Sequence, residues 1–208
     1  MMHSAKLVWI TPDAEKLVGK IARVSNPANE DNPNVKGLLK YLIEHRHWSP
    51  FEMASMCVEI KTTRAISPQL LRHRSFSFQE FSQRYAESTA IDMPQLRRQD
   101  KKNRQNSTDD LDPEYIEFME EKIHRLYEES MDLYQYMLSK DVAKECARSV
   151  LPLNTESRLY MSGTIRSWLH YVDLRGDNGT QREHMSIARC VGDILADQVP
   201  NIARAMWD

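Results

Sequence analysis

The apolar and polar positions of this chain fall into short strand-like runs separated by segments of helical spacing, with no internal repeat. AKLVWI predicts a short strand. In TPDAEKLVGKIARVS, Leu17, Val18 and Ile21 form an apolar stripe behind a capping Thr11 and a Pro12 suited to the first helical position, which predicts a helix. After the turn-rich NPANEDNPN, VKGLLKYLIEHR repeats the helical spacing through Leu38, Leu39, Leu42 and Ile43, and HWSPF breaks it.

From Glu52 to Thr62 the pattern alternates near its end, Val58 and Ile60 against Cys57, Glu59 and Lys61, which predicts a strand. TRAISPQLLRHR tolerates Pro68 only in a first helical turn, and a helix there puts Gln69 and Arg72 on one face. Low apolar content, a basic run and turn formers mark residues 90–112 as a mobile surface loop or insertion. Asp112 then caps, and Pro113 opens, a long helix lined by Ile116, Met119, Ile123, Leu126, Leu133 and Met137 and suited to a scaffold or a subunit contact. VAKECARSV is short and helical, LPLN stops it, SRLYMSGT is a strand candidate, and IRSWLHYVDLR and QREHMSIARCVGDILADQVP predict two more helices. Strands among many helices, without regular alternation of the two, give an α+β fold for one domain over residues 1–208.

At 208 residues the chain is long enough to bury a real core. A formal net charge of −2 argues against a general nucleic-acid-binding surface, so any anion site is local. There is no apolar run of membrane-spanning length, and MMHSAKLVWITPD has no secretory pattern; a cytoplasmic protein with no membrane partner is expected. Cys57, Cys146 and Cys190 are widely separated, which points to reduced thiols and not to a disulfide framework or a zinc knuckle.

Against this ordinary background, RHRSFSFQEFSQRY at residues 72–85 gathers Arg72, His73, Arg74 and Arg84 around Ser75, Ser77 and Ser82, directly after the apolar AISPQLL. Guanidinium groups grip phosphates and carbonyl oxygens with paired donors and keep their charge. Arg72, Arg74, Arg84, Arg148, Arg166 and Arg175 all have apolar neighbours; each alone reads as a surface or ion-pair arginine, and together they ask for anionic ligands. Along IRSWLHYVDLR, Arg166 and His170 share a face while Arg175 lies about half a revolution away at about 100° per residue. One helix can therefore serve two pockets, or simply bury Trp168, Leu169 and Val172 with its arginines outside. His45 and His47 form HxH, and His73, His170 and His184 are candidates to converge, but no carboxylate spacing reinforces them and no metal site is expected. Ser82 lies in no GxSxG elbow, and hydroxyls among arginines suit phosphate binding better than nucleophilic attack.

The pattern RHR, seven residues, then Ser, here Arg72, His73, Arg74 and Ser82, resembles the signature of the flavin-dependent thymidylate synthases. The resemblance extends through ARVS at 22–25, HWSPFE at 47–52, QLLRHR at 69–74, QEFSQRY at 79–85, ARSVLPLN at 147–154, and IRS with DLR at 165–175. It implies a single α+β domain with a small, mostly antiparallel sheet and several long helices. It further implies a homotetramer binding FAD and deoxyuridine monophosphate (dUMP) at subunit interfaces, with methylenetetrahydrofolate giving one carbon, NADPH reducing the flavin, and tetrahydrofolate and thymidylate (dTMP) as products. By the same resemblance FAD is contacted by Ser25, His47, Ser49, Arg72, His73, Arg74, Glu80, Thr164, Arg166 and His170. The nucleotide is held by Gln69, Leu70, Leu71, Arg72, Glu80, Phe81, Ser82, Gln83, Arg84, Arg148 and Arg175, with Arg175 as the catalytic group.

Three positions depart from the family pattern: Gln79 and Thr164 stand where asparagine is common, and GDNGTQ lacks a histidine that some members direct at the flavin. Two other readings stay open at this level. A nucleic-acid-binding module would use RHRS, Phe76, Phe78, Phe81, Tyr85 and the run RRQDKKNR, and a flavin or nucleotide sensor would keep the fold without turnover.

Overall fold

The computed structural model describes residues 3–207. The chain runs through β1 (Ser4–Ile10), α1 (Ala14–Ala22), α2 (Lys36–Glu44), β2 (Ser55–Thr63), α3 (Ser67–Leu70), β3 (Ser77–Glu80) and the short strands β4 (Arg98–Gln99) and β5 (Ser107–Thr108). It continues through α4 (Pro113–Ser139), α5 (Lys144–Ala147), β6 (Glu156–Thr164), α6 (Ile165–Arg175), α7 (Arg182–Gln198) and α8 (Pro200–Trp207). Four strands form an antiparallel sheet in the order β1-β2-β6-β3, while β4 and β5 pair separately as a hairpin. The fold is the α+β arrangement that the sequence predicts.

Strand β2 is the spine, pairing with β6 in unbroken register from Ser55 opposite Thr164 to Thr63 opposite Glu156. Its alternation is that of an antiparallel sheet with one covered face. Met56, Val58 and Ile60 of β2 and Leu159 and Met161 of β6 are fully buried in one core, with Leu39, Trp168, Leu169, Ile187, Val191 and Leu195 from the helices. Burying each such side chain contributes about 1.5–3 kcal/mol, so the core rows of these strands fix their register. The intervening positions stay polar, and Tyr160 Oη donates to Glu59 Oε2 at 2.8 Å.

Several expectations are corrected. Thr11 does not cap α1: its hydroxyl accepts from the Ser55 N–H at 2.9 Å and donates to the Ser55 carbonyl at 3.2 Å, tying the end of β1 to the start of β2. The helix starts at Ala14, after Asp13 at φ 48°. The strand expected from Glu52 begins at Ser55, because Ser49–Glu52 forms a 3-10 turn opened by Pro50. The helix holding Gln69 is a single turn that ends before Arg72. The helix expected through Pro200 ends at Gln198, and Pro200 opens a further one.

On α4, only Tyr134 is fully buried. Ile116, Met119, Ile123 and Tyr127 turn partly inward, whereas Leu126 and Leu133, expected on the buried stripe, stay exposed with Tyr115, Phe118 and Tyr136. Among the described residues no helix is long and apolar enough to cross a membrane.

Gly163 on β6 is where the 72–77 loop meets the sheet. A Cβ at this position would lie 2.5 Å from Cδ1 of Phe76, whose ring is pinned 4.6 Å from that of Trp168 and 6.1 Å from that of Tyr171. We predict that Gly163→Ala destabilises the protein by about 1–3 kcal/mol, the usual cost of overpacking. In urea denaturation, Phe76→Leu added to Gly163→Ala should recover part of the loss; equal stability of Gly163→Ala and wild type would contradict the contact.

Candidate active site

Helix α6 positions two groups of charged side chains because of how it begins and what it buries. Thr164 is its N-cap, the hydroxyl accepting from the Ser167 N–H at 3.3 Å. Trp168 points inward, its indole N–H donating to the Met56 carbonyl at 3.0 Å and its ring edge-on to Phe76 and Tyr171. With that residue fixed, Arg166 and His170 emerge on one side and Arg175 on another.

On the first side, Arg166 pairs with Glu52 of the 3-10 turn, leaving its buried Nε without a partner, and His170 lies edge-on to Trp48 at 4.7 Å. Burial, helped by Arg166, holds the His170 imidazole below its ordinary pKa. His47 and Ser49 are exposed on the neighbouring turn.

On the second side, Arg175 Nε donates to His73 Nε2 at 3.2 Å. That bond requires an unprotonated Nε2, and burial, reinforced by the Arg175 charge, lowers the His73 pKa and keeps the ring neutral. His73 stands edge-on to Tyr171 at 5.1 Å and to His184 at 5.9 Å. His184 is fully buried, with Nδ1 at 3.3 Å from Gln69 Oε1 and Nε2 unpartnered. Gln69 Nε2 in turn donates to Gln181 Oε1 at 2.7 Å. The Tyr171 hydroxyl is buried without a partner, and burial raises its pKa. Arg175, Gln69 and Gln181 open on a cleft of about 920 Å³ that the β4–β5 hairpin also lines.

A third group forms around Ser82, whose carbonyl accepts from the N–H groups of Tyr85 and Ala86 at 3.1 and 3.0 Å in a tight turn. Arg84 reaches Glu145 on α5 at 3.2 Å, which brings the turn to the segment carrying Arg148. Gln83 Nε2 donates to Ser88 Oγ at 2.9 Å inside the protein. Glu80 is held by Arg64 at 2.6 Å and Ser157 at 2.8 Å.

The residues expected at the site are therefore unequally placed. Gln69, His73 and Arg175 are brought together, and Arg166 with His170 forms a second cluster. Arg72, Arg74 and Leu71 are exposed, and the two arginines have no carboxylate partner among the described residues, as suits a phosphate-bearing ligand. Leu70 is fully buried in the core, so its side chain packs the fold and does not face the loop. Phe81 is half-buried and Ser25 is exposed after α1. Among the described residues no hydrogen bond or ion pair joins one of the three groups to another. The sequence reading missed Glu52, Arg64, Tyr171 and Gln181. His184, weighed there only as a metal ligand, was betrayed by its stripe: it lies on the buried face of α7 with Ile187, Ala188, Val191 and Leu195.

Arginines and side-chain amides line an open cleft, Arg175 backed there by the neutral His73, and such a lining defines a site suited to an anionic ligand. Residues 6–201 match the family described as thymidylate synthase complementing protein. The chain is 50% identical to the probable flavin-dependent thymidylate synthase of Paramecium bursaria Chlorella virus 1 over 98% of both chains. It is 51% identical to the flavin-dependent thymidylate synthase of a Synechocystis strain, over 92% of this chain and 89% of the other. The fold matches the crystal structure of a UMP/dUMP methylase, PolB, from Streptomyces cacaoi bound with 5-Br dUMP, with a TM-score of 0.86, 30% identity and 98% of this chain and 94% of that one covered. The chain belongs to the thymidylate synthase complementing protein family, the flavin-dependent thymidylate synthases.

Burial, with the Arg175 charge and His73 adding to it, lowers the His184 pKa from 6.5 to about 4. Above pH 6.5 the ring is neutral folded or unfolded and contributes nothing to pH dependence. As pH falls from 6.5 to about 4 the unfolded chain takes up a proton that the native site refuses, so stability is lost across that window, by up to about 3 kcal/mol. Urea midpoints measured between pH 7 and 4 should fall accordingly, and His184→Gln should make this slope shallower, the remainder coming from the other histidines that burial holds below their ordinary pKa; an unchanged slope would reject the assignment.

Proposed function

We propose that the protein methylates dUMP to dTMP, taking one carbon from methylenetetrahydrofolate and using FAD reduced by NADPH, with release of tetrahydrofolate. The observation that carries this reading is the Arg175–His73 pair. A neutral imidazole takes up the guanidinium Nε, which fixes the plane of the fork and leaves both Nη groups for a ligand. Placed against the carbonyl and adjacent ring nitrogen of uracil, such a fork stabilises the negative charge that builds as carbon 5 becomes nucleophilic. Gln69, its amide oriented by Gln181 and His184, contributes a further hydrogen bond to the nucleotide. Ser82, Gln83, Arg84 and Arg148 take the phosphate, with Ser82 in a binding role and not a covalent one.

The residues present fit a flavin dinucleotide. Arg72 and Arg74 are exposed cations lacking carboxylate partners among the described residues, the buried Arg166 Nε is unpartnered, and His170 stands against the Trp48 ring. These side chains, with His47 and Ser49, would hold its diphosphate and ring system; Thr164 would act through its cap of α6. When bound, FAD supplies the hydride, and the protein supplies orientation, charge and exclusion of water.

A homotetramer with sites between subunits accounts for two features. The binding groups lie in three clusters of one chain, and α4 carries an exposed apolar row, Tyr115, Phe118, Leu126, Leu133 and Tyr136, of the kind that a second copy covers.

The test is anaerobic addition of NADPH to the FAD-loaded protein with dUMP present, followed by methylenetetrahydrofolate and assay of dTMP. The flavin absorbance should bleach and dTMP should form. Arg175→Ala should retain bound FAD and lose dTMP formation by at least about a hundredfold, the scale of one lost transition-state donor. Normal turnover in that variant would sink the assignment.

A further inference from the structure

The hairpin β4–β5 is an arm clamped to the body of the protein. On its ascending limb Arg97 Nη2 donates to Glu183 Oε1 at 2.6 Å, in a pair only 10% and 16% exposed; on its descending limb Asp109 pairs with Arg182. Burial pushes the Glu183 carboxyl up, and its helix N–H and Arg97 outweigh that and leave it below the usual range. Both anchors are adjacent residues in the first turn of α7. The tip is tied internally as well. Asp100 accepts from the N–H groups of Lys102 and Asn103 at 2.7 and 3.1 Å and from Asn106 Nδ2 at 3.1 Å, while Gln99 Nε2 donates to the Asn106 carbonyl at 3.0 Å.

Arg104 of the arm and Arg175 of α6 line the same cleft. Arg97, Arg104, Arg175 and Arg182 line this cleft, and among the described residues no aspartate or glutamate does. Arg97 and Arg182 are neutralised by Glu183 and Asp109, whereas Arg104 and Arg175 have no carboxylate partner among the described residues. In a chain of net charge −2 this is a strongly biased local field. The same cleft is lined by the amide side chains of Gln99, Gln105 and Asn106, a residue type that both donates and accepts. A volume of about 920 Å³ leaves room beyond a pyrimidine held at Arg175.

We propose that this arm docks the acidic tail of the one-carbon donor, Arg104 gripping a glutamyl carboxylate and the neighbouring amides bonding its peptide-like linkage. The assignment rests on the thymidylate synthase reading of the cleft.

The test is steady-state kinetics of the FAD-loaded protein and its Arg104→Ala, Arg104→Lys and Arg104→Glu variants, with mono- and triglutamyl methylenetetrahydrofolate. Arg104→Ala should raise KM for the monoglutamyl donor about tenfold, the loss of one charge-assisted pair. Arg104→Glu should raise it further and abolish the gain from extra glutamates, and Arg104→Lys should restore most of the affinity. KM for dUMP and for NADPH should stay within about twofold, since the proposal assigns the arm to the donor's tail alone. An unchanged donor KM, or a shift that falls on NADPH or dUMP, overturns the proposal. If the wild type forms no dTMP, the enzyme reading fails instead; calorimetric binding of tetrahydrofolate to wild type and Arg104→Ala then decides the arm alone, with equal affinity overturning it.

Discussion

The burial of Trp168 is the constraint on which the arrangement of the site depends. Its indole N–H has no water to bond and is satisfied by the Met56 carbonyl on the central strand, so the rotation of α6 about its axis is locked to the sheet. Phe76 fills the space between that ring and Gly163, which draws the RHRSF loop down onto the same strand pair. The polar chemistry on either flank, Arg166 with His170 and Arg175 with His73, is positioned by this apolar wedge and not by the polar contacts themselves. A binding surface rich in long, charged side chains thus acquires definite geometry from the buried core of the fold.

Burial then does electrical work on the second flank. His73 and His184 lie close to an arginine in a poorly solvated pocket, where a second positive charge is unfavourable, and both stay neutral. Neutral rings accept or donate single hydrogen bonds with fixed roles, and they leave Arg175 as the cation of the cluster. On the α6 side the cleft therefore offers a ligand one directed positive charge, Arg175, beside oriented amides.

Much of this was legible from the chain. The strand and helix order, the approximate spans of β1, β2 and β6, and the division of α6 into two faces follow from apolar spacing, and the RHR block marks the loop that carries His73. Four features were not legible, each for a physical reason. Thr11 looks like a cap because a hydroxyl before a proline is a strong local signal, yet a cross-strand partner at Ser55 wins it. Leu126 and Leu133 look buried because periodicity counts apolar residues without knowing whether anything covers them. Glu52 and Arg64 are distant in sequence from the residues that they neutralise, and no local pattern announces such pairs. Residues 90–112 read as solvated because their charges balance only in space, Arg97 with Glu183 and Asp109 with Arg182.

The start of α7 compresses several attachments into four consecutive residues. Gln181 and His184 bond Gln69, Arg182 holds Asp109, and Glu183 holds Arg97. The arm is consequently no detachable cassette. A descendant that shortened or discarded it would strand a half-sheltered carboxylate at Glu183 and a released guanidinium at Arg182, one residue away from the amides that orient Gln69. Trimming the arm is therefore a change at the wall of the cleft itself, transmitted through one tetrapeptide.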